Sequence, residues 1–377
     1  MAEETYFATT ARGVEEVLAA ELMRLGCPEP VVARGGVSFR GDRAFCYRAN
    51  LWLRTASRVL LPVAEFPCAS ERDLYEGVRE LDWNSWLTPE MTLAVEASLR
   101  DSNLTHSGYV ALKTKDAVVD AIRERRGRRP SVDARDPDLR IQVRLFRNRC
   151  TVSLDTSGEP LDRRGYRLDR GEAPLRETLA AALVELTGWD GSVPLVDPLC
   201  GSGTIVIEAA LRGLGRAPGL LRQRFGFQRW PDFDAARWRQ VVAEAAPEQS
   251  GKSMVTVCGR DRSAEAVATA RRNSQRAGVG SCVDLAVADM LTLEPPVAGP
   301  GILLCNPPYG QRLGEVEVLK GFYRQLGDAL KQRWSGYTAY LFTGSQELAK
   351  EVGLRPSRRI VLFNGPIECR LLRYELY

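Results

Sequence analysis

The sequence predicts an α/β chain, a Rossmann-like parallel-sheet domain preceded by a smaller α+β module. Three observations carry this. From Ala173 onward, short continuous apolar strands alternate with helical stretches, the pattern of a parallel sheet covered on both faces. The first 157 residues alternate helices with strands whose apolar residues occupy every second position, the pattern of half-buried strands. The chain's 377 residues, 44% hydrophobic and 27% charged, are enough for two or three domains of ~100–200 residues and too apolar for global disorder. We expect a first unit over 1–63, a second over 64–157 (a start near 44 fits as well) and the parallel-sheet domain over 158–377.

The elements follow in order. Thr5 to Thr9 reads as a short strand, and Gly13 to Leu25 as a helix with Val14, Val17, Leu18, Leu22 and Leu25 on one face. Val37 to Phe39 is a strand after the Gly35-Gly36 turn, Arg43 to Leu53 a helix, and Ser57 to Glu65 an alternating strand. This β-α-β-α-β run has the form of a small ferredoxin-like unit. Helical spacing returns at Asp73 to Leu81 and Thr114 to Arg125, and alternation at Thr92–Ala97, Ile141–Leu145 and Cys150–Leu154. Gly158 to Gly171 reads as a Gly/Arg/Asp-rich connector. Beyond it come helices at Leu175–Leu186, Thr204–Leu211 and Ala264–Ala277, and strands at Val193–Val196, Met254–Cys258, Val283–Ala288, Gly301–Cys305 and Ala339–Phe342.

Composition excludes several classes. No apolar run reaches the ~18 residues of a membrane span, and the Met1–Thr5 start lacks the basic and apolar parts of a secretion signal, so a cytoplasmic protein is expected. Nine scattered cysteines with no C-x-x-C pair, and a single histidine, His106, argue against a zinc site and a disulfide framework. They also leave a Ser-His-Asp hydrolase only His106 to use. Net charge is +4. Residues 1–155 balance at 23 basic against 23 acidic, yet Arg123 to Arg149 packs ten arginines against four acids. That surplus fits either a solvated face or a path for a phosphate backbone.

The chemistry concentrates in two motifs. Val193-Pro-Leu-Val-Asp197-Pro-Leu-Cys200-Gly201-Ser202-Gly203-Thr204 is a buried strand, an acid and a Gly-rich turn opening a helix. A phosphate loop would carry Lys after its last glycine, where Thr204 stands. A dinucleotide fingerprint would place a third glycine at Val206. A nucleoside without a pyrophosphate remains, and S-adenosylmethionine fits, with Asp197 accepting from its ammonium group; a plain strand-to-helix turn is the bland alternative. Asp261, ending the next strand, is placed for ribose hydroxyls, and Asp289, after the third, for an adenine amino group; singly, each is an ordinary cap or turn residue. Asp261 lies 64 residues after Asp197, because Gly213–Pro247 is inserted between them. The second motif is Asn306-Pro307-Pro308-Tyr309, closing a buried strand. The Asn306 side-chain oxygen and the Pro307 carbonyl can accept both hydrogens of an exocyclic amine, and Tyr309 can stack on its base. Two acceptors pull the nitrogen towards tetrahedral geometry and free its lone pair for a methyl group. A rigid turn is the alternative reading.

At these residues the sequence resembles the THUMP-domain class I RNA guanine-N2 methyltransferases, above all the amino-terminal methyltransferase half of the bacterial large-subunit ribosomal RNA enzymes. The likeness also covers Ala8-Thr-Thr-Ala-Arg-Gly-Val-Glu-Glu, Gly35-Gly-Val-Ser-Phe, Arg164-Gly-Tyr-Arg, Ala173-Pro-Leu-Arg-Glu-Thr-Leu, Arg216-Ala-Pro-Gly-Leu and Asn306-Pro-Pro-Tyr-Gly-Gln-Arg-Leu. It implies a ferredoxin-like unit and a THUMP module that grip structured RNA, and a methyltransferase domain that methylates a flipped-out base. It places S-adenosylmethionine on Asp197, Cys200, Gly201, Ser202, Gly203, Thr204, Asp261, Asp289, Met290 and Asn306, with Pro174 and Leu175 against its methionine end. It makes Asn306 to Tyr309 the catalytic tetrapeptide. Arg123, Arg125, Arg126 and Arg128 become RNA contacts, and Phe363, Asn364 and Gly365 a late hairpin beside the target base. No metal is expected, and a monomer is. In the nearest relatives a second methyltransferase domain can follow; this sequence ends at Tyr377. Ribosomal RNA is favoured over transfer RNA. A DNA adenine-N6 methyltransferase with the same pocket, and an RNA-binding assembly factor with a dead one, are the rivals.

Overall fold

The computed structural model describes residues 3–167, 175–245, 256–310 and 315–377. Its first sheet is built from β1 (Glu4–Thr9), β2 (Val31–Ala33), β3 (Gly36–Gly41), β4 (Arg58–Pro67), β5 (Thr92–Arg100), β6 (Ser131–Val132), β7 (Leu139–Phe146) and β8 (Arg149–Asp155). Four helices cover it: α1 (Glu15–Arg24), α2 (Arg43–Trp52), α3 (Glu71–Arg79) and α4 (Ser107–Arg126). The strand order is β2-β3-β1-β4-β8-β7-β5-β6. All pairs are antiparallel except β5 with β6 and β5 with β7.

One strand joins the two N-terminal units. Arg58 to Leu60 of β4 pair with β1, and Leu60 to Pro67 pair with β8. The expected boundary at 63/64 therefore falls inside β4, and the units share a sheet. The lone histidine proves architectural: His106 is the N-cap of α4, its Nδ1 accepting from Tyr109 N–H at 3.0 Å.

The second sheet runs β11-β10-β9-β12-β13-β15-β14. Its strands are β9 (Leu195–Asp197), β10 (Val257–Asp261), β11 (Val283–Val287), β12 (Gly301–Cys305), β13 (Tyr337–Thr343), β14 (Arg358–Asn364) and β15 (Ile367–Glu375). The first five are parallel, and β15 is antiparallel to both β13 and β14. The helices are α5 (Glu177–Thr187), α6 (Thr204–Gly213), α7 (Ala235–Glu244), α8 (Ala264–Arg276), α9 (Glu315–Arg333) and α10 (Gln346–Glu351). Strand β9 lies between β10 and β12. The strand order reverses there, and a ligand crevice forms outside the carboxyl ends at such a point.

Several elements lay outside the sequence expectations. β2 and β6 are three and two residues long and fully exposed, so they carry no hydrophobic period. α9 has that period at Leu319, Tyr323, Leu326 and Leu330, and the last three are completely buried. The 213–247 insertion, of which residues up to Ala245 are described, packs backwards. Phe225, Phe227 and Trp230 are buried in the N-terminal core, with the Phe227 ring stacked 4.4 Å from Tyr47 of α2 and the Trp238 ring edge-on to Tyr47 at 5.9 Å. In the other direction, Val14 is buried in the core of the parallel-sheet domain. The two halves thus hold each other through swapped apolar anchors.

Candidate active site

Three carboxylates line up at the carboxyl ends of neighbouring strands. Asp197 ends β9, and Asp261 ends the adjacent β10. Asp289 lies just past β11, where Ala288 N–H donates to the Asp261 carbonyl at 3.1 Å. Among the described residues none of the three pairs with Lys or Arg. Asp197 is 1% exposed, and among the described residues its carboxylate accepts only from Leu199 N–H, at 3.1 Å. Burial pushes its carboxyl up to about 8; the Leu199 N–H works against this, and the nearby charge of Asp261 adds to it. Burial without a cation holds this acid neutral, and a cation brought beside it would favour the ionised form. Asp261 is partly committed: its Oδ2 accepts from Gly201 N–H at 3.0 Å and its Oδ1 from Ser263 N–H at 2.9 Å. Asp289 is exposed, with Oδ1 accepting from Leu291 N–H at 2.9 Å, and Met290 beside it is buried. The turn-residue reading of these two acids is therefore also true of them.

The glycine turn has two distinct jobs. Gly203, at φ +86°, is the N-cap of α6, and a Cβ there would stand 3.0 Å from the Ala270 Cβ of α8, so it permits close helix packing. Gly201, at φ +51°, has nothing within 4 Å of where a Cβ would be, leaving a free backbone surface for a ligand. The loop is fastened behind by Cys200 N–H to the Arg260 carbonyl at 2.8 Å and by Asn273 Nδ2 to the Ser202 carbonyl at 3.0 Å. Asn273 is fully buried.

Arg167, part of the Arg164-Gly-Tyr-Arg motif, is tied to the start of the glycine turn's helix. Its guanidinium donates to the Leu175 carbonyl at 2.7 Å and to the Thr204 hydroxyl, and faces Glu177 at 3.4 Å. It thereby places Leu175 over the start of α6. Its signal was the Arg164-Gly-Tyr-Arg spacing in an otherwise loop-like stretch. Pro174 lies outside the described residues.

Beyond β12, the half-buried Asn306 has a buried Oδ1 with no hydrogen-bond partner among the described residues. Pro307 is buried, Pro308 exposed and Tyr309 half-buried. The Tyr309 hydroxyl accepts from Asn364 Nδ2 at 3.1 Å, so the β14–β15 hairpin touches the tetrapeptide. Gly365, at φ +62°, forms its turn. Phe363 is capped by Arg12 from the β1–α1 loop, with the guanidinium carbon 4.0 Å from the ring centroid. The remaining expected residues lie in the other half. Arg123, Arg125, Arg126 and Arg128 cluster at the exposed end of α4 with surface partners Asp120, Asp82, Asn84 and Glu90.

A buried acid beside an open glycine backbone fits the ammonium and amino-acid end of S-adenosylmethionine. Comparisons with known proteins agree. Residues 164–373 match the RMKL-like methyltransferase domain, 68–155 the THUMP domain and 5–60 the RlmL ferredoxin-like domain. A Synechocystis protein carried under the provisional name of an RNA methyltransferase is 44% identical over 99% of this chain and 97% of its own. The ribosomal RNA large subunit methyltransferase K/L of Syntrophotalea carbinolica is 44% identical over 98% of this chain and 53% of its own, and that of Psychromonas ingrahamii 40% identical over 99% and 50%. The chain thus spans about half the length of those two enzymes. A protein carried under the provisional name of a methyltransferase and solved with S-adenosylhomocysteine superposes with a TM-score of 0.89 at 30% identity over 100% of this chain and 99% of that one. A Listeria monocytogenes protein, named on prediction an N6-adenine-specific DNA methylase, gives 0.89 at 31% over 100% and 97%. The chain belongs to the RMKL-like methyltransferase family, a class I, S-adenosylmethionine-dependent methyltransferase domain preceded by ferredoxin-like and THUMP units.

Proposed function

We propose that this protein methylates the exocyclic N2 of a guanine in structured RNA, with large-subunit ribosomal RNA as the favoured substrate. The observation that carries the reading is the Asn306 Oδ1, buried and without a hydrogen-bond partner among the described residues, just past β12, the strand paired with the one that ends in the buried Asp197. S-adenosylmethionine supplies an electrophilic sulfonium methyl when bound. Asp197 neutralises its ammonium group, Asp261 accepts from its ribose hydroxyls and Asp289 from its adenine amino group, while Leu175 and Met290 give apolar walls. Asn306 Oδ1 and the Pro307 carbonyl would accept hydrogen bonds from both N–H groups of the guanine amine, which orients its lone pair towards the methyl group; after transfer the methylated nitrogen sheds one of those protons to solvent. Tyr309, steadied by Asn364, stacks on the base. Catalysis is then alignment of two reactants against rigid acceptors, and no histidine is required.

A base within a duplex cannot reach Asn306, so the target nucleotide is flipped out or single-stranded. The THUMP arginines supply sequence-independent grip. Their carboxylate partners are exposed pairs, each contributing about 0–1 kcal/mol, and exchange readily for phosphates. Large-subunit ribosomal RNA is favoured because nearly all of this chain is similar to about half of each of two enzymes named for it. The test is incubation of the protein with methyl-labelled cofactor and, separately, unmodified ribosomal RNA, transfer RNA and DNA, followed by nucleoside analysis. N2-methylguanosine from ribosomal RNA is expected. Label in transfer RNA would move the substrate, and N6-methyladenine in DNA would overturn the reading.

A further inference from the structure

A cavity of about 350 Å³ opens between α10 and the outer strands of the second sheet, away from the cofactor crevice. Its charged lining is Lys350, Arg355, Arg359 and Arg370, and no carboxylate lines it. The neighbouring acids are engaged elsewhere: Glu351 with Arg324 at 2.6 Å, Glu347 with Lys320 at 2.6 Å, and Glu375 with Arg373 at 2.9 Å. Only Arg370 has an acid in reach, Glu368 at 3.7 Å. Lys350, Arg355 and Arg359 are exposed and have no ion-pair partner among the described residues. Two further polar groups are unsatisfied here, Arg370 Nε and the hydroxyl of Tyr374, a residue 1% exposed. Four cations drawn together with one carboxylate at their edge repel one another, and solvent or an anionic ligand among them relieves that repulsion.

The place of the cavity matters as much as its charge. Strands β12 and β13 are parallel, with Cys305 beside Leu341, so Thr343 stands at the same end of the sheet as Asn306. Thr343 and Ser345 line the cavity, and a Cβ on Gly344 between them would lie 3.0 Å from the Tyr309 ring. The cavity therefore starts directly behind the residue that faces the target base.

We propose that this cavity is a phosphate-binding site that holds the backbone of the RNA strand on one side of the flipped nucleotide. The guanidinium groups suit bidentate contact with phosphate oxygens, and Ser345 and Gln346 add neutral donors. The grip anchors the strand close to the pocket, while the THUMP arginines hold the RNA at a distance. The proposal rests on the RNA-methyltransferase reading given above.

The test uses the full-length protein, an unmodified large-subunit ribosomal RNA transcript, and the exposed double change Arg355→Ala/Arg359→Ala, with Tyr374→Phe as a gentler companion. Binding is measured between about 50 and 200 mM salt. The double variant should bind RNA at least about tenfold more weakly, with the slope of log affinity against log salt reduced by about 1.4–1.8 for two lost phosphate contacts. Its affinity for S-adenosylhomocysteine and its Tm should match wild type. Tyr374→Phe should show a smaller loss and an unchanged slope. Unaltered affinity and slope in the double variant, or a loss matched by a fall in Tm or cofactor affinity, overturns the proposal. Inorganic phosphate or triphosphate that raises the Tm of wild type but not of the double variant, with RNA binding unaffected, assigns the site to a free phosphate compound and overturns its RNA role. Failure of wild type to methylate any RNA would sink the parent reading alone, because these readouts are binding and not turnover.

Discussion

Asp197 shows how a single buried acid can report on both folding and ligand binding. Its carboxyl titrates at about 8 in the folded chain against an ordinary 3.8. Between those values the folded protein holds a proton that the unfolded chain has released, so stability falls as pH rises from about 4 to about 8. Asp197→Asn should flatten that slope in urea titrations at pH 5 and pH 8. The cofactor's ammonium group favours the ionised form, so binding should release a proton near neutrality. Calorimetry of S-adenosylhomocysteine in buffers of differing ionisation enthalpy should show that release, with affinity rising from pH 6 to pH 8; the Asn variant should show neither. Asn306 makes a complementary case. Its Oδ1 has no partner among the described residues, so Asn306→Ala should leave stability within about 1 kcal/mol and lower the single-turnover methylation rate by about 10²–10³-fold, with cofactor affinity retained. Both residues were legible from the sequence, because each ends an apolar strand and precedes a glycine or proline turn. Their electrostatic condition was not, since burial and missing partners are tertiary facts.

At the level of elements, the β1–α1 loop is the part whose importance the local sequence conceals. Gly13 sits at φ +87°, and a Cβ there would fall 2.4 Å from the Val361 carbonyl of β14. The loop is pinned on its other side by Thr10 N–H to the Gly35 carbonyl at 2.9 Å and by Glu15, which accepts from Gly35 N–H at 3.0 Å. It lies flat on the hairpin that reaches Tyr309. Gly13→Ala should destabilise by about 1–3 kcal/mol and lower Tm, because neither the backbone angle nor the neighbouring carbonyl can yield cheaply. The same substitution at Gly35, φ +81° with no atom within 4 Å, carries only the dihedral strain and should cost less. In the parallel sheet, apolar runs of three to seven residues between turn signals gave away five strands. The β14–β15 hairpin was reached only through the family likeness, because β14 reads Arg-Arg-Ile-Val-Leu-Phe-Asn with two leading charges and an exposed Val361. The short edge strands β2 and β6 take their extended form from a neighbour and not from their own residues.

For the whole molecule, the two halves are linked by a buried polar chain as well as by swapped apolar anchors. Glu21 of α1 accepts from the N–H groups of Arg54 and Thr55 at 3.2 and 3.0 Å. Arg54 crosses to the Arg216 carbonyl at 2.6 Å, and Arg164 links the Arg54 carbonyl to Glu208 of α6, 3.5 Å away. Tyr166 adds a hydrogen bond to the same carboxylate at 3.1 Å. Helix α6 begins at the cofactor turn, so the N-terminal half is braced directly against it. Glu208→Ala would leave Arg164 buried without its acid and should cost about 3–5 kcal/mol, whereas Glu159→Ala, breaking the exposed Arg163–Glu159 pair, should stay within about 1 kcal/mol. Chemical denaturation of both variants checks the contrast. No local pattern announces this brace: Glu21, Arg54, Arg164 and Glu208 are spread over 187 positions and meet only in the fold.

The proposed chemistry depends on one acceptor and the amine it receives. A crystal structure with S-adenosylhomocysteine and a guanosine-containing RNA oligonucleotide would show it directly. We predict the guanine N2 about 3 Å from Asn306 Oδ1, with its other hydrogen towards the Pro307 carbonyl and the cofactor's ammonium group against Asp197. A guanine bound with its amine turned away from Asn306, or a cofactor seated elsewhere than over Gly201, would contradict it.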